Sequence, residues 1–145
     1  MIALDTNLLV YAHREDSPHH QRARQVLGEL AGDRAQWAIP WPCLHEFLAV
    51  VTHPRIYRPP TEMALALEAM TSLLNLSQVQ LLTETADHGS ILGDLLLHSQ
   101  GVTGPKVRDA RIAAICLGHG VRALWSADRD FSWFPALKVV NPLAA

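Results

Sequence analysis

Four acidic residues carry the chemical interest of this sequence: Asp5, Glu46, Asp109 and Asp128. Asp5 closes the apolar run Ile2-Ala3-Leu4, and Asp128 follows Ala123-Leu124-Trp125 after two small residues. Asp109 opens a stretch of apolar-periodic sequence, and Glu46 lies beside another. Carboxylates gathered within a few ångströms repel one another unless a proton or a cation neutralises some of them, so such a cluster is costly as structure alone. A divalent cation is the simplest neutraliser. Oxygen-only donors select hard ions such as Mg²⁺, which is held by one or two carboxylates and keeps its other positions for water and substrate phosphates. The chemistry indicated is therefore phosphodiester or phosphoryl transfer. If two ions sit ~3.5–4 Å apart, one activates a water and the other stabilises the leaving oxygen, with Asp5 the favoured bridging ligand. Taken singly, each acid also has an ordinary reading, since Asp forms turns after strands and offsets the dipole in a first helical turn.

The elements that must position these acids alternate along the chain. Short apolar runs at Met1-Ile2-Ala3-Leu4, Trp37-Ala38-Ile39, Val79-Gln80-Leu81-Leu82, Ala123-Leu124-Trp125 and Leu137-Lys138-Val139-Val140 predict strands. Helical spacing fills the intervals. A short helix follows Asp5-Thr6-Asn7; a second starts at Ser17-Pro18, carries Ala23, Val26, Leu27 and Leu30, and stops at Gly32-Asp33. Leu44, Phe47, Leu48 and Val51 form a stripe ended by His53-Pro54, and Met63, Leu67, Met70 and Leu74 form another with Thr61 as its cap. His88, Ile91, Leu92 and Leu95 precede the loop residues 101–105, after which Ala110, Ala113, Ala114 and Leu117 run to Gly118-His119-Gly120. Strands separated by helices favour a parallel sheet covered on both faces, so the expected architecture is α/β: a three-layer α/β/α sandwich forming one domain over residues 1–145. In such sheets ligands bind at the carboxyl ends of the strands.

Composition bounds the function. With 49% apolar and 18% charged residues, the chain has the balance of a packed globular domain. Asp5 interrupts the first apolar stretch and no run reaches the ~18 residues of a membrane span, so neither export nor membrane insertion is expected. Cys43 and Cys116 belong to no Cys-x-x-Cys pair and read as reduced core residues of a cytoplasmic protein. A net charge of -2 carries no general attraction for nucleic acid, so any such contact must come from local patches.

The segments Ile2-Ala3-Leu4-Asp5-Thr6-Asn7, Leu44-His45-Glu46-Phe47, Asp109-Ala110-Arg111-Ile112-Ala113-Ala114 and Ser126-Ala127-Asp128-Arg129-Asp130-Phe131 together resemble the PIN-domain family, and within it the VapC-like toxin ribonucleases of type II toxin–antitoxin systems. Their order and spacing cover almost the whole chain. The resemblance implies a parallel sheet of about five strands and Mg²⁺- or Mn²⁺-dependent endonucleolytic cleavage of RNA. It also implies inhibition by a cognate antitoxin and a homodimer. Carried over position by position, Asp5 and Asp109 are the main metal ligands, Glu46 and Asp128 complete the acidic pocket, and Ser126 and Asn7 orient the carboxylates. Asp130 stands outside this set, as an alternative ligand or as a turn former before Phe131.

Two other functions compete. A phosphohydrolase using Asp5 as covalent nucleophile would resemble the haloacid-dehalogenase-like family, but Asn7 stands where that family places its second aspartate. A non-catalytic RNA- or protein-binding PIN-like module is motivated by residues 53–60, where Arg55, Tyr57 and Arg58 offer cations and an aromatic ring; a proline-stiffened connection explains the same residues. Lys106, Arg108 and Arg111 flank Asp109 and Arg129 adjoins Asp128, as RNA-phosphate contacts or as solubilising charges. A zinc site is not indicated, because Ala49 stands where a His-Glu-x-x-His motif needs its second histidine. Gly118-His119-Gly120 follows a helix and precedes a strand, the reverse of a dinucleotide-binding loop.

Overall fold

The computed structural model describes residues 1–144. Five parallel strands form a single sheet in the order β3-β2-β1-β4-β5: β1 (Ile2–Leu4), β2 (Trp37–Pro40), β3 (Val79–Leu82), β4 (Ala123–Trp125) and β5 (Val139–Val140). All pairings are parallel, with Leu4 opposite Trp125 and Ala3 opposite Ala38. Such a sheet is buried on both faces, and the residues of β1, β2 and β4 are accordingly small or apolar, with Ala3, Leu4, Ala38, Ile39 and Leu124 fully buried.

The strand order dictates where the helices go. From β1 the chain moves outward to β2 through α1 (Thr6–His13) and α2 (His20–Gly32), then to β3 through α3 (Trp41–Val51) and α4 (Met63–Leu74). It then reverses past β1 to β4 through α5 (His88–His98) and α6 (Val107–Gly118). Right-handed crossovers put helices met while moving one way on one face and those met on the return on the other. The packing follows: α1 lies on α2 and α3, α3 on α4, and α5 on α6. The point where the order reverses is the gap between β1 and β4.

Three local expectations are corrected. The second helix begins at His20 rather than at Ser17-Pro18, because the Ser17 hydroxyl accepts from the His19 N–H and its carbonyl from the His20 N–H, closing a turn ahead of the helix. On α4 the buried position is Ala66, with Ala69, Met70 and Leu73 beside it; Met63 and Leu67 are 52% and 41% exposed. The small Ala66 lets α4 approach closely, and the larger side chains are turned outward. Thr61 does not cap this helix but accepts from Arg14. The expected glycine stop of α6 is present: Gly120 has φ +66, and the Val121 N–H closes onto the Cys116 carbonyl at 3.0 Å.

Gly118, the last residue of α6, has a packing role. A Cβ there would lie 2.6 Å from the Thr85 hydroxyl oxygen, which already donates to Asp87. Gly118→Ala is therefore expected to lower stability by ~1 kcal/mol despite the better helix propensity of alanine. In a Thr85→Ala background the same change is expected to stabilise, a reversal that a double-mutant cycle by denaturant unfolding would register.

Candidate active site

The carboxyl end of β1 delivers Asp5 to the switch point of the sheet. Its backbone N–H continues the ladder by donating to the Trp125 carbonyl at 3.0 Å, so the residue is fixed beside the end of β4. Its side chain is 3% exposed. Ser126, the residue after β4, donates its hydroxyl to Asp5 Oδ2 at 2.7 Å and accepts from the Asp128 backbone N–H at 2.9 Å. One buried hydroxyl thus links the acid after β1 to the turn that carries the acid after β4.

On the other side of Asp5, α3 contributes two groups. Cys43 Sγ donates to Asp5 Oδ1 at 3.5 Å, and Glu46 lies one turn further along the helix. Thr6 touches both acids: its backbone N–H donates to Asp5, and its hydroxyl donates to Glu46 Oε2 at 3.3 Å, with the Cys43 carbonyl at 3.5 Å. Glu46 is exposed where Asp5 is buried, so one carboxylate faces solvent and the other the protein. Asp109 lies in the first turn of α6, half-buried, between Arg108 and the buried Ala110. A cleft of about 290 Å³ between α3 and α6 has Glu46 and His45 on one wall and Arg108 and Arg111 on the other. Asn7 is half-buried in the first turn of α1, at the same rim. Asp128 is half-buried; the side chain of Asp130 lies outside the described part of the structure.

Asp5, Glu46 and the Asp128 turn are joined through Thr6 and Ser126, while Asp109 stands in the first turn of α6, the helix that faces Glu46 across the cleft, and no closed cage results. Among the described residues, no three Asp, Glu, His or Cys side chains converge closely enough to enclose an ion by themselves. Burial raises the Asp5 carboxyl above the usual carboxylate value; hydrogen bonds from Ser126, the Thr6 backbone and Cys43 oppose this, and the charge of Glu46 adds to it. Among the described residues no Lys, Arg or His forms an ion pair with Asp5. A buried carboxylate without a countercharge is costly, and a hard cation bound at its rim side removes that cost. An incomplete, oxygen-only donor set suits Mg²⁺, which retains waters, better than it suits zinc or calcium.

Thr6 and Cys43 were not assigned roles from sequence. The signal for Cys43 was its spacing: it precedes Glu46 by three residues, which puts both on adjacent turns of one helix face. Both cysteines are free and buried, as expected; burial pushes the Cys43 thiol up, and burial together with the Asp5 charge raises Cys116 to about 12. Residues 53–60 lie away from this rim. Thr61 donates its N–H to the Val51 carbonyl and meets His13 Nε2 at 3.1 Å, while Arg14 stacks over the Tyr57 ring at 4.4 Å. The loop is therefore held at the far ends of α1 and α3, roughly 12 Å of helix from Asp5.

The chain belongs to the PIN domain family, whose profile matches residues 2–136. VapC ribonuclease Mb2897 of Mycobacterium bovis is 34% identical over 99% of this chain and 96% of its own length. Ribonuclease VapC31 of Mycobacterium tuberculosis is 30% identical over 98% and 99%. Among solved structures, VapBC2 from Rickettsia felis, bound to a DNA fragment from its promoter, superposes with a TM-score of 0.71 at 21% identity, covering 97% of this chain and 98% of that one. The five-stranded parallel α/β/α sandwich expected from sequence is the fold these proteins share. Among the described residues, no helix is long and apolar enough to cross a membrane.

Proposed function

We propose that the protein is an endoribonuclease, the toxin of a toxin–antitoxin pair, that hydrolyses RNA phosphodiester bonds with Mg²⁺, or Mn²⁺, held at the acidic rim. The observation that carries this reading is the buried, hydrogen-bonded Asp5 carboxylate at the switch point of the sheet, which among the described residues pairs with no Lys, Arg or His, with Glu46 coupled to it through Thr6. Relatives named as VapC ribonucleases, matched along 96% and 99% of their own lengths, support it. A solved toxin–antitoxin complex from Klebsiella pneumoniae with the same fold supports an antitoxin as partner, and the proposal takes a homodimer as the assembly. Two buried reduced thiols suit the cytoplasm.

Asp5 and Asp109 are the residues assigned to hold the ion, with Glu46 and Asp128 on the water and substrate side. When bound, the ion supplies charge stabilisation of the phosphoryl oxygens and lowers the pKa of a coordinated water. The chain supplies orientation. Ser126 fixes the rotamer of Asp5, and its acceptance from the Asp128 N–H sets the position of the following turn. Thr6 holds Glu46 at the rim, where its carboxylate accepts a proton from an attacking water. Asn7, half-buried in the first turn of α1, supplies an amide that hydrogen-bonds and orients the carboxylates.

A ligand that binds only the folded chain stabilises it in proportion to the logarithm of its concentration. Adding 10 mM Mg²⁺ to metal-free protein is therefore expected to raise Tm by about 3 °C, and to leave the Asp5→Asn variant unmoved. The activity test is incubation of purified protein with structured RNA, with Mg²⁺ and with EDTA. Metal-dependent fragments support the nuclease; RNA binding without cleavage under any condition would mark a non-catalytic module instead.

A further inference from the structure

We propose that the cleft between α3 and α6 is a subsite for an RNA phosphate neighbouring the one cleaved, with Arg108 and Arg111 as its anion ligands and His45 as the surface for the attached base. The inference rests on the ribonuclease reading and locates part of its substrate. Arg108 and Arg111 are one turn apart on α6, so both side chains leave the same face. They face Glu46 and His45 across the cleft, which places a bound phosphate next to the acidic rim. Arg108 is exposed and, among the described residues, forms no ion pair. Arg111 already holds an anion: Nε and Nη2 both reach Glu84 Oε1, at 2.6 and 2.5 Å.

A guanidinium edge recognises carboxylate and phosphate oxygens by the same two-point geometry. Glu84 does not line the cleft, and its single oxygen Oε1 takes both Arg111 nitrogens, so a phosphate in the cleft competes with Glu84 for Arg111. Both partners are substantially exposed, at 47% and 36%, so the pair is weak and exchangeable in solvent. On the opposite wall the exposed His45 ring sits 6.0 Å from Trp41 at 43°. The two rings meet in a tilted contact, and the exposed His45 imidazole offers a surface against which a base can stack. A chain of net charge -2 needs such a local device, because its overall field does not attract RNA.

The test is binding of a labelled mixed-sequence single-stranded RNA oligonucleotide to protein in EDTA, over a range of salt. Arg108→Gln and Arg111→Gln are each expected to weaken binding roughly three- to ten-fold. Each should also flatten the log–log salt dependence by about 0.7. Glu84→Gln removes the competing anion and is expected to tighten binding about two-fold, a gain that misfolding cannot mimic. Arg24→Gln on α2 is the charge-matched control and should leave affinity and slope as they were. Binding indifferent to Arg108, Arg111 and Glu84 would overturn the subsite alone. No binding by the unmodified chain in EDTA would likewise overturn the subsite, while the ribonuclease reading is judged separately by metal-dependent cleavage of the same RNA.

Discussion

Asp5→Asn is expected to lower RNA cleavage by at least about a thousand-fold while raising the stability of the metal-free protein. The two effects have one cause. Asp5 is buried, its charge is opposed by desolvation and by Glu46, and no cationic side chain among the described residues pairs with it. Asparagine keeps the shape and an acceptor for the Ser126 hydroxyl but removes the charge that burial disfavours. A gain of ~1 kcal/mol, or about 3 °C in Tm, is the expected size for relieving such a site. The pH dependence follows in sign. In the folded chain Asp5 titrates above its ordinary value of 3.8, so the neutral acid favours the fold at low pH and that contribution is lost as pH rises through the raised folded value. The variant lacks this loss. Its advantage in thermal melts with EDTA should be small near pH 4, widen as pH rises through that window and then level off. A variant less stable than the parent at pH 8 would contradict the account of Asp5.

Ser126→Ala is expected to reduce kcat/KM by about 10–100-fold and stability by about 1–3 kcal/mol. Ser126 is 2% exposed, and its hydroxyl makes two bonds at once, donating to Asp5 and accepting from the Asp128 backbone. Its loss leaves a buried carboxylate oxygen and a backbone N–H short of a partner, and frees both the Asp5 rotamer and the turn after β4. Ser126→Thr retains the hydroxyl and should keep most of the activity. If alanine and threonine behave alike, packing at this position rather than the hydroxyl is what matters.

The sequence made the strand–helix alternation legible because each short apolar run is bounded by a turn former or a helix start, and because β1, β2 and β4 are buried enough to read as continuous apolar segments. The placement of Asp5 and Ser126 followed from the same rule, since a residue just past a parallel strand lies at the carboxyl edge. What was not legible depended on tertiary packing. The inward face of α4 is chosen by close approach at Ala66, and a stripe of larger residues, Met63 and Leu67, misled the periodicity. Cys43 read as an ordinary core thiol because its contact with Asp5 joins elements 38 residues apart. Residues 53–60 carry the composition of an RNA-contact loop, yet their distance from the acidic rim is set by the lengths of α1 and α3, which composition does not encode. The arginines of α6 carry two readings in the sequence, RNA-phosphate contacts or solubilising charges, and only the cleft they share with Glu46 favours the first for Arg108 and Arg111.

The most direct test of the central claim is to determine the chemical ends of RNA fragments produced by the parent and Asp5→Asn proteins, with Mg²⁺ or Mn²⁺ and with EDTA. Hydrolysis by a water activated at the acidic rim predicts discrete cuts, made only by the parent and only with metal, that leave a linear phosphate on one end and a free hydroxyl on the other. Fragments ending in a 2′,3′-cyclic phosphate, or cuts made equally by the Asp5→Asn protein, would contradict it.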